Sequence, residues 1–407
     1  KPQFSVDFFY ELLYNSFIIA LLEDYTTMAS VKKFVALLLC MAVILGFAAC
    51  RPKDESALVY GNLNAQKGDT ANGRIDIRSA LYILYNFDAV DEFRQQVDET
   101  TTTGESTSEI DYKDATVDDK SYDEWVEERT VEKCAEYAYV ELQFDQLQLS
   151  FEEDELQDID DYVESVWEYG ASYGYRDKTI YEANGISLNT LKAYYRNYQK
   201  RLKLFDYYYD EDGSKALSEA SIKEYMDENY VLVNSLSYSF TNSDGSTVSD
   251  EDKSAKKTLF EGYQTRLENG ESFATIKAEY DQLIAEEQGS TTTTTTTSAD
   301  GPEDPNGSIY GSENTQYASD DFNDIHAMEN GEVKILETDS AYLLVVRRNI
   351  LDDSYYYDNL VSTLRHEMKD DEFDQFVKEE AAKLDVARNN SAISYYTPDK
   401  LVYTTES

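Results

Sequence analysis

Apolar side chains recur at helical spacing along most of this chain of 407 residues, and strand-like runs cluster between positions 231 and 348. Val231-Leu-Val-Asn-Ser-Leu-Ser-Tyr-Ser-Phe240 alternates apolar and polar residues, and Ala341-Tyr-Leu-Leu-Val-Val-Arg347 is a short apolar run flanked by charge. Both patterns predict strands, since successive strand side chains point to opposite faces. Between them the pattern predicts a turn at Asn242-Ser-Asp-Gly245, a helix over 250–269 stopped by Gly270, and a second helix from Ser272. A short helix over 322–328 then precedes a turn at Glu329-Asn-Gly331 and the strand Val333-Lys-Ile-Leu336, which forms a hairpin with the closing strand through Asp339-Ser340.

Outside this region the spacing is helical. Arg74-Ile-Asp-Ile-Arg78 leads into a helix through Leu84 and Phe93, and Val131, Ala135, Ala138 and Leu142 share the face of another. Ser150-Phe-Glu-Glu153 fits a capping box opening a further helix through Ile159, Val163 and Val166. Leu188, Leu191, Tyr195, Tyr198, Leu202 and Phe205 form the inward stripe of the next, and Ser218 opens one through Ile222 and Met226. The tail from Tyr355 to Leu384 is helical again and has an apolar face to bury. The expected architecture is α+β and mostly α-helical: a helical domain of N-terminal helices plus a C-terminal helix, with a small α/β module inserted in it.

The first methionine is Met28. Lys32-Lys33, the uncharged run 34–49 and Cys50 then give the basic, apolar and small-residue parts of a secretory signal. Sixteen uncharged residues fall short of the roughly twenty that span a bilayer. Gly46-Phe-Ala-Ala-Cys50 resembles a bacterial lipobox, with Phe47 where an aliphatic residue is usual, which implies lipidation of Cys50. The expected divisions are therefore an over-extended N-terminus over 1–27, a lipoprotein signal over 28–50, and a polar tether over 51–72. The helical domain follows over 73–230, the α/β module over 231–350, and a C-terminal helix packing on the helical domain over 351–407. Seven successive threonines and two prolines mark 286–308 as a disordered loop within the module.

Composition narrows the function. Thirty-six Lys and Arg against 81 Asp and Glu give a net charge of −45, which repels nucleic acid. Thirty-five tyrosines, each with an apolar ring and a polar tip, suit half-exposed surfaces that hold apolar peptides. Of three cysteines only Cys134 lies beyond the signal, on a helix face where a free cysteine packs as a small hydrophobe. Arg365-His-Glu-Met-Lys-Asp370 lacks the second histidine of a zinc-protease motif, Gly270-Glu-Ser-Phe-Ala274 follows a helix where a nucleophile elbow follows a strand, and the acidic turns are too short for an EF-hand. No metal site and no cofactor is expected.

Several stretches together resemble the parvulin-type peptidyl-prolyl isomerases, in particular the exported foldase lipoproteins of Gram-positive bacteria. Leu267-Glu-Asn-Gly-Glu-Ser-Phe-Ala274 is similar to the family's helix–Gly–helix junction, and Asn330-Gly-Glu-Val333 to its Gly-Glu-Val turn before the third strand. Ser340-Ala-Tyr-Leu-Leu344 is similar to its Gly-Tyr-His-Ile-Ile closing strand, and Asn306-Gly-Ser-Ile-Tyr310 to its Gly-Gly-Asp-Leu-Gly loop. The region from Ile186 to Tyr230 is similar to the helical chaperone domain of these proteins, of the kind found in trigger factor and periplasmic chaperones.

The resemblance implies two histidines on adjacent strands facing the proline site. Their positions here carry Ser235 and Tyr342, and the family's Cys or Asp beside the site falls near Gln282-Leu283. It also implies a hydrophobic proline pocket near Phe322 and Tyr317. Of the two histidines, His326 is expected on the short helix and His366 on the C-terminal helix, both as surface residues. The expected function is that of a membrane-anchored, extracytoplasmic foldase or chaperone for unfolded secreted polypeptides, with a degenerate isomerase site. The alternative is a non-catalytic surface lipoprotein with a structural or adhesive role.

Overall fold

Strand alternation begins earlier than the sequence pattern suggests, at Ser56-Ala-Leu-Val-Tyr-Gly61, in a computed structural model describing residues 55–101, 112–242, 244–288, 307–312 and 319–403. Residues 1–27, the segment 28–50 expected to be a lipoprotein signal ending at Cys50, and the threonine run of the 286–308 loop lie outside the described residues. The chain divides into two units, one of residues 1–197 and 381–407 and the other of residues 198–380.

In the first unit β1 (Ser56–Gly61) pairs antiparallel with β2 (Arg74–Arg78). Ala57, Leu58 and Tyr60 are buried, and Tyr60 donates its hydroxyl to the Val131 carbonyl at 2.8 Å. The tether expected over 51–72 is thus corrected: its six-residue strand is too short for periodicity to separate it from a polar linker. Helix α1 (Ser79–Thr101) follows, then the two-residue strands β3 (Thr116–Val117) and β4 (Lys120–Ser121) and helix α2 (Tyr122–Gln146). Ser121 caps α2 by accepting the Glu124 N–H. Phe93 of α1 packs edge-on against Tyr122 and Trp125 of α2, and Cys134 is fully buried, which pushes its thiol pKa up.

Helix α3 (Glu153–Tyr169) starts later than the capping box expected at Ser150 and Glu153. Glu152 is the cap, its carboxylate taking the serine's part, and its own N–H donates to Glu155 at 2.7 Å. Helix α4 (Lys178–Ala183) and then α5 (Leu188–Tyr209) follow, and α5 begins in the first unit and ends in the second. On α5, Leu191 and Phe205 are buried as expected, but Tyr198 is 53% exposed. Asn197 takes the inward position beside it, donating to the Tyr137 carbonyl at 3.1 Å and to Glu141 at 2.9 Å.

The second unit adds α6 (Glu219–Asn229), capped by Ser218, and strand β5 (Tyr230–Ser239). Helix α7 (Asp250–Glu268) ends at Asn269 and Gly270, and α8 (Phe273–Gln288) follows. Strand β6 (Gly307–Gly311), helix α9 (Ser319–His326), strands β7 (Val333–Glu337) and β8 (Ala341–Arg348), and the long helix α10 (Ser354–Ala381) complete it. The sheet order is β6-β5-β8-β7, antiparallel throughout, so the expected hairpin of β7 and β8 forms, and β5 lies directly beside β8. One face packs on α7 and α8 through Leu236, Phe240 and Leu344 against Phe260, Ile276 and Tyr280. The other packs on α9 through Val231, Val233 and Val345 against Phe322 and Ile325. Helix α10 lies against α6 and the end of α5, with Leu364 beside Ile222 and Met226 and Phe373 edge-on to Phe205.

Strand β9 (Val386–Arg388) returns the chain to the first unit, pairing with β1 to give the order β2-β1-β9, and α11 (Asn390–Ile393) follows it. The whole is a mostly helical α+β fold.

Candidate functional site

The sheet of the second unit is where the sequence places its chemistry, and strand register decides which of those side chains meet. Residues directly opposite one another in an antiparallel pair project from the same face. Ser235 lies opposite Val345, and Val345 belongs to the face covered by α9. Tyr342 lies opposite Tyr238 and belongs to the face covered by α7 and α8. The two expected positions therefore point away from each other, and only Ser235 shares a face with Phe322.

A one-residue offset accounts for the separation, because it exchanges the two faces of a strand. On β8 it is Leu343, opposite Ser237, that projects to the Ser235 side. Neither Tyr342 nor Leu343 brings an imidazole to that face. Tyr342 is 6% exposed, its ring edge-on to Phe240 with centroids 4.8 Å apart and the Lys257 ammonium 5.5 Å above it, so it fills core. Phe322 is 5% exposed and packs among Val231, Val233, Leu343 and Val345. Tyr317 lies outside the described residues.

Neither histidine lies on a strand of the sheet: His326 is on α9 and His366 on α10. His326 Nε2 is 3.1 Å from the Asp227 carbonyl, and His366 Nδ1 is 2.7 Å from Asp370. His366 is less exposed than a surface histidine, because its ring stacks on Phe205 with centroids 3.9 Å apart.

The α9 face carries one charged group that the apolar run of β8 conceals. Arg347, opposite Val233, is 5% exposed, and its Nε and Nη1 make no hydrogen bond. Burial lowers its pKa, opposed by the charge of Asp227. Its signal in the sequence is a charged residue at a strand position of the same parity as Leu343 and Val345.

The first unit contributes two clefts that the sequence pattern does not reveal, since their walls come from segments far apart in the chain. A cavity of 710 Å³ is walled by Tyr82, Val131, Ile393, Tyr396 and Pro398 and rimmed by carboxylates of α2. A cavity of 400 Å³ is walled by Ala80, Ile83, Tyr395 and Leu401, and Tyr396 also reaches it. Both clefts border the segment that follows β9. On α3 and the residues after it, Tyr162, Tyr169, Tyr173 and Tyr175 are 49%, 63%, 68% and 44% exposed, and the Tyr162 and Tyr175 hydroxyls are 2.9 Å apart. Among the described residues no cluster of His, Cys, Asp or Glu is arranged to hold a metal ion, and no helix is long and apolar enough to cross a membrane.

No protein-family model matches the chain, and no curated protein does. Among solved structures it is similar to the foldase protein PrsA of Streptococcus pneumoniae, at 15% identity over 71% of this chain and 97% of that one, with a TM-score of 0.33. It is likewise similar to the foldase protein PrsA of Lactococcus lactis, at 14% identity over 67% and 87% of the two chains and a TM-score of 0.34. A third is the peptidylprolyl isomerase PrsA of Bacillus anthracis, at 11% identity over 62% and 95% and a TM-score of 0.22. These solved structures are PrsA proteins of several Gram-positive bacteria.

Proposed function

We propose that the chain is an extracytoplasmic foldase that holds unfolded secreted polypeptides in the clefts of its first unit, while its parvulin-like sheet has lost the histidine pair. The observation that carries this is the pair of clefts bordering one C-terminal segment, both reached by Tyr396 and both with aromatic and aliphatic walls. Such walls bind extended chains with little sequence preference, because apolar contact is non-directional. The exposed tyrosines beside α3 add a further surface of the same chemistry. Adjacency of β5 and β8 is what the resemblance to parvulins requires of the first and closing strands.

Isomerisation needs only an environment that favours the twisted peptide bond, against a barrier of roughly 18–20 kcal/mol. On the α9 side, Ser235, Ser237 and Leu343 replace imidazole donors with short hydroxyls and an aliphatic group. The expected result of a proline-peptide isomerisation assay is therefore a rate close to the uncatalysed one. Turnover at the level of an efficient isomerase would show that the sheet works as an enzyme without histidines. Anchoring through Cys50 belongs to the same proposal. Cys50→Ala should move the protein from the membrane fraction to the soluble one, and retention on membranes would rule out the lipid anchor.

A further inference from the structure

The segment that follows α11 lies against the first unit as a guest peptide would. Leu401 has φ −78° and ψ 144°, an extended backbone, and residues 401–403 belong to no helix or strand. Among the described residues one side chain, Asn184, bonds their backbone across the unit. Its Oδ1 accepts the Val402 N–H at 3.0 Å, and its Nδ2 donates to the Val402 carbonyl at 2.9 Å. The orientation of the amide is fixed, because only its oxygen can accept and only its nitrogen can donate. Asn184 is held in turn at the end of α4, where Nδ2 also donates to the Ile180 carbonyl at 2.8 Å.

Such a clamp reads no sequence, since every residue but proline offers the same N–H and carbonyl. Choice rests with the two neighbours. Leu401 is 8% exposed and lines the cavity walled by Ala80 and Ile83 of α1. Tyr403 packs edge-on to Phe87 of α1 with centroids 5.4 Å apart, and the Arg94 guanidinium lies 5.0 Å from its ring. Positions 80, 83, 87 and 94 fall on one face of a helix, so the segment runs along a single stripe of α1. Paired main-chain hydrogen bonds between two side-chain pockets are how a groove holds an extended peptide. A cavity of 400 Å³ stays open beside Leu401, so that pocket takes a larger side chain than the one it holds.

We propose that this face of α1, with Asn184, is a peptide-binding groove, and that residues 401–403 fill it in place of a client. The client segment is extended, with a large aliphatic or aromatic residue at the Leu401 position and an aromatic residue two positions later. This specificity rests on the foldase function proposed above. A client enters by displacing the chain's own segment, whose tether gives it an effective concentration on the order of 1 mM.

The probe is a fluorescent peptide of residues 395–403, its binding to the full chain followed by anisotropy. In the parent the groove is occupied and binding is weak. Leu401→Ser with Tyr403→Ser in the full chain releases the segment, and affinity for the peptide should rise roughly tenfold or more. The same peptide with N-methylvaline at position 402 lacks the N–H that Asn184 accepts, and should bind the released chain roughly tenfold more weakly. Equal affinity of parent and released chains would overturn the proposal, as would equal affinity of the released chain for the two peptides. Should the released chain not fold, hydrogen exchange of the parent decides. Peptide at about 1 mM should speed exchange of the Val402 amide severalfold, and unchanged exchange would overturn the proposal. Parent dimers that the peptide dissociates would assign the groove to the C-terminal segment of a second copy and overturn the client site. A chain that exchanges its segment for the peptide but protects no client from aggregation keeps the groove and loses the foldase function. A chain that suppresses aggregation while Val402 exchange stays unchanged keeps the foldase function and loses the groove.

Discussion

At the scale of single residues, the aromatic interior of the first unit sets an acidic group against its surroundings. Tyr194 donates its hydroxyl to Asp88 at 2.7 Å, yet burial pushes the Asp88 carboxyl up, outweighing that hydrogen bond and the charges of Lys133 and Arg176. A carboxyl whose folded pKa is raised contributes stability that is fully present below its unfolded value and is lost as pH rises through its folded value. Asp88→Asn keeps an oxygen for Tyr194 and removes the ionisation. Its melting temperature should match the parent's in acid and exceed it at neutral pH, and an equal difference at both would contradict the assignment. Glu92 acts in the opposite sense. Burial raises its carboxyl, but hydrogen bonds from Arg129 and Lys133 outweigh that and hold it below its usual range, so its contribution is lost as pH falls and the substitution leaves this acid-side loss in place. Arg347 shows where single residues escape a pattern: the apolar run of β8 reads as strand and its parity puts Arg347 beside Leu343 and Val345, but that parity does not say that the guanidinium is buried without a full set of partners.

At the scale of elements, hydrophobic period located most of what the structure contains, because a helix or strand with one buried face must write that face into its sequence. Strand β5, the hairpin of β7 and β8, the Gly270 break and the Ser218 cap were all legible for that reason. Register was not. It depends on pairing across the sheet, so Ser235 and Tyr342 could be placed on adjacent strands without revealing that they face opposite sides. Strand β1 was illegible because six residues between polar neighbours carry little period, and its partner β9 is far away in the chain. Gly61 ends β1 with φ +77°, and a Cβ added there would lie 2.3 Å from the Gly73 carbonyl oxygen. Gly61→Ala should cost about 1–3 kcal/mol in a denaturant titration. Gly185→Ala is the control, since Gly185 has the same φ of +77° and no atom within 4 Å of the added Cβ. It should cost less, and an equal loss at both positions would show that the contact with Gly73 carries no weight.

At the scale of the whole molecule, the chain runs through the first unit, builds the second over residues 198–380, and returns to pair β9 with β1. The sequence announced an inserted module from its cluster of strands, but the second unit also takes in the end of α5, α6 and nearly all of α10. Their apolar faces are filled by one another, as with Leu364 against Ile222 and Met226, and helical period does not specify such partners. The clefts of the first unit were hidden for a related reason, since Tyr82, Val131 and Tyr396 meet only after β9 has docked. On the foldase reading proposed above, a sheet without histidines acts through binding, and the aggregation of a chemically denatured secreted protein, followed by light scattering as the chain is added, tests this most directly. Aggregation should fall in proportion to the chain present, without acceleration of proline isomerisation; undiminished scattering at a molar excess of chain would contradict the account.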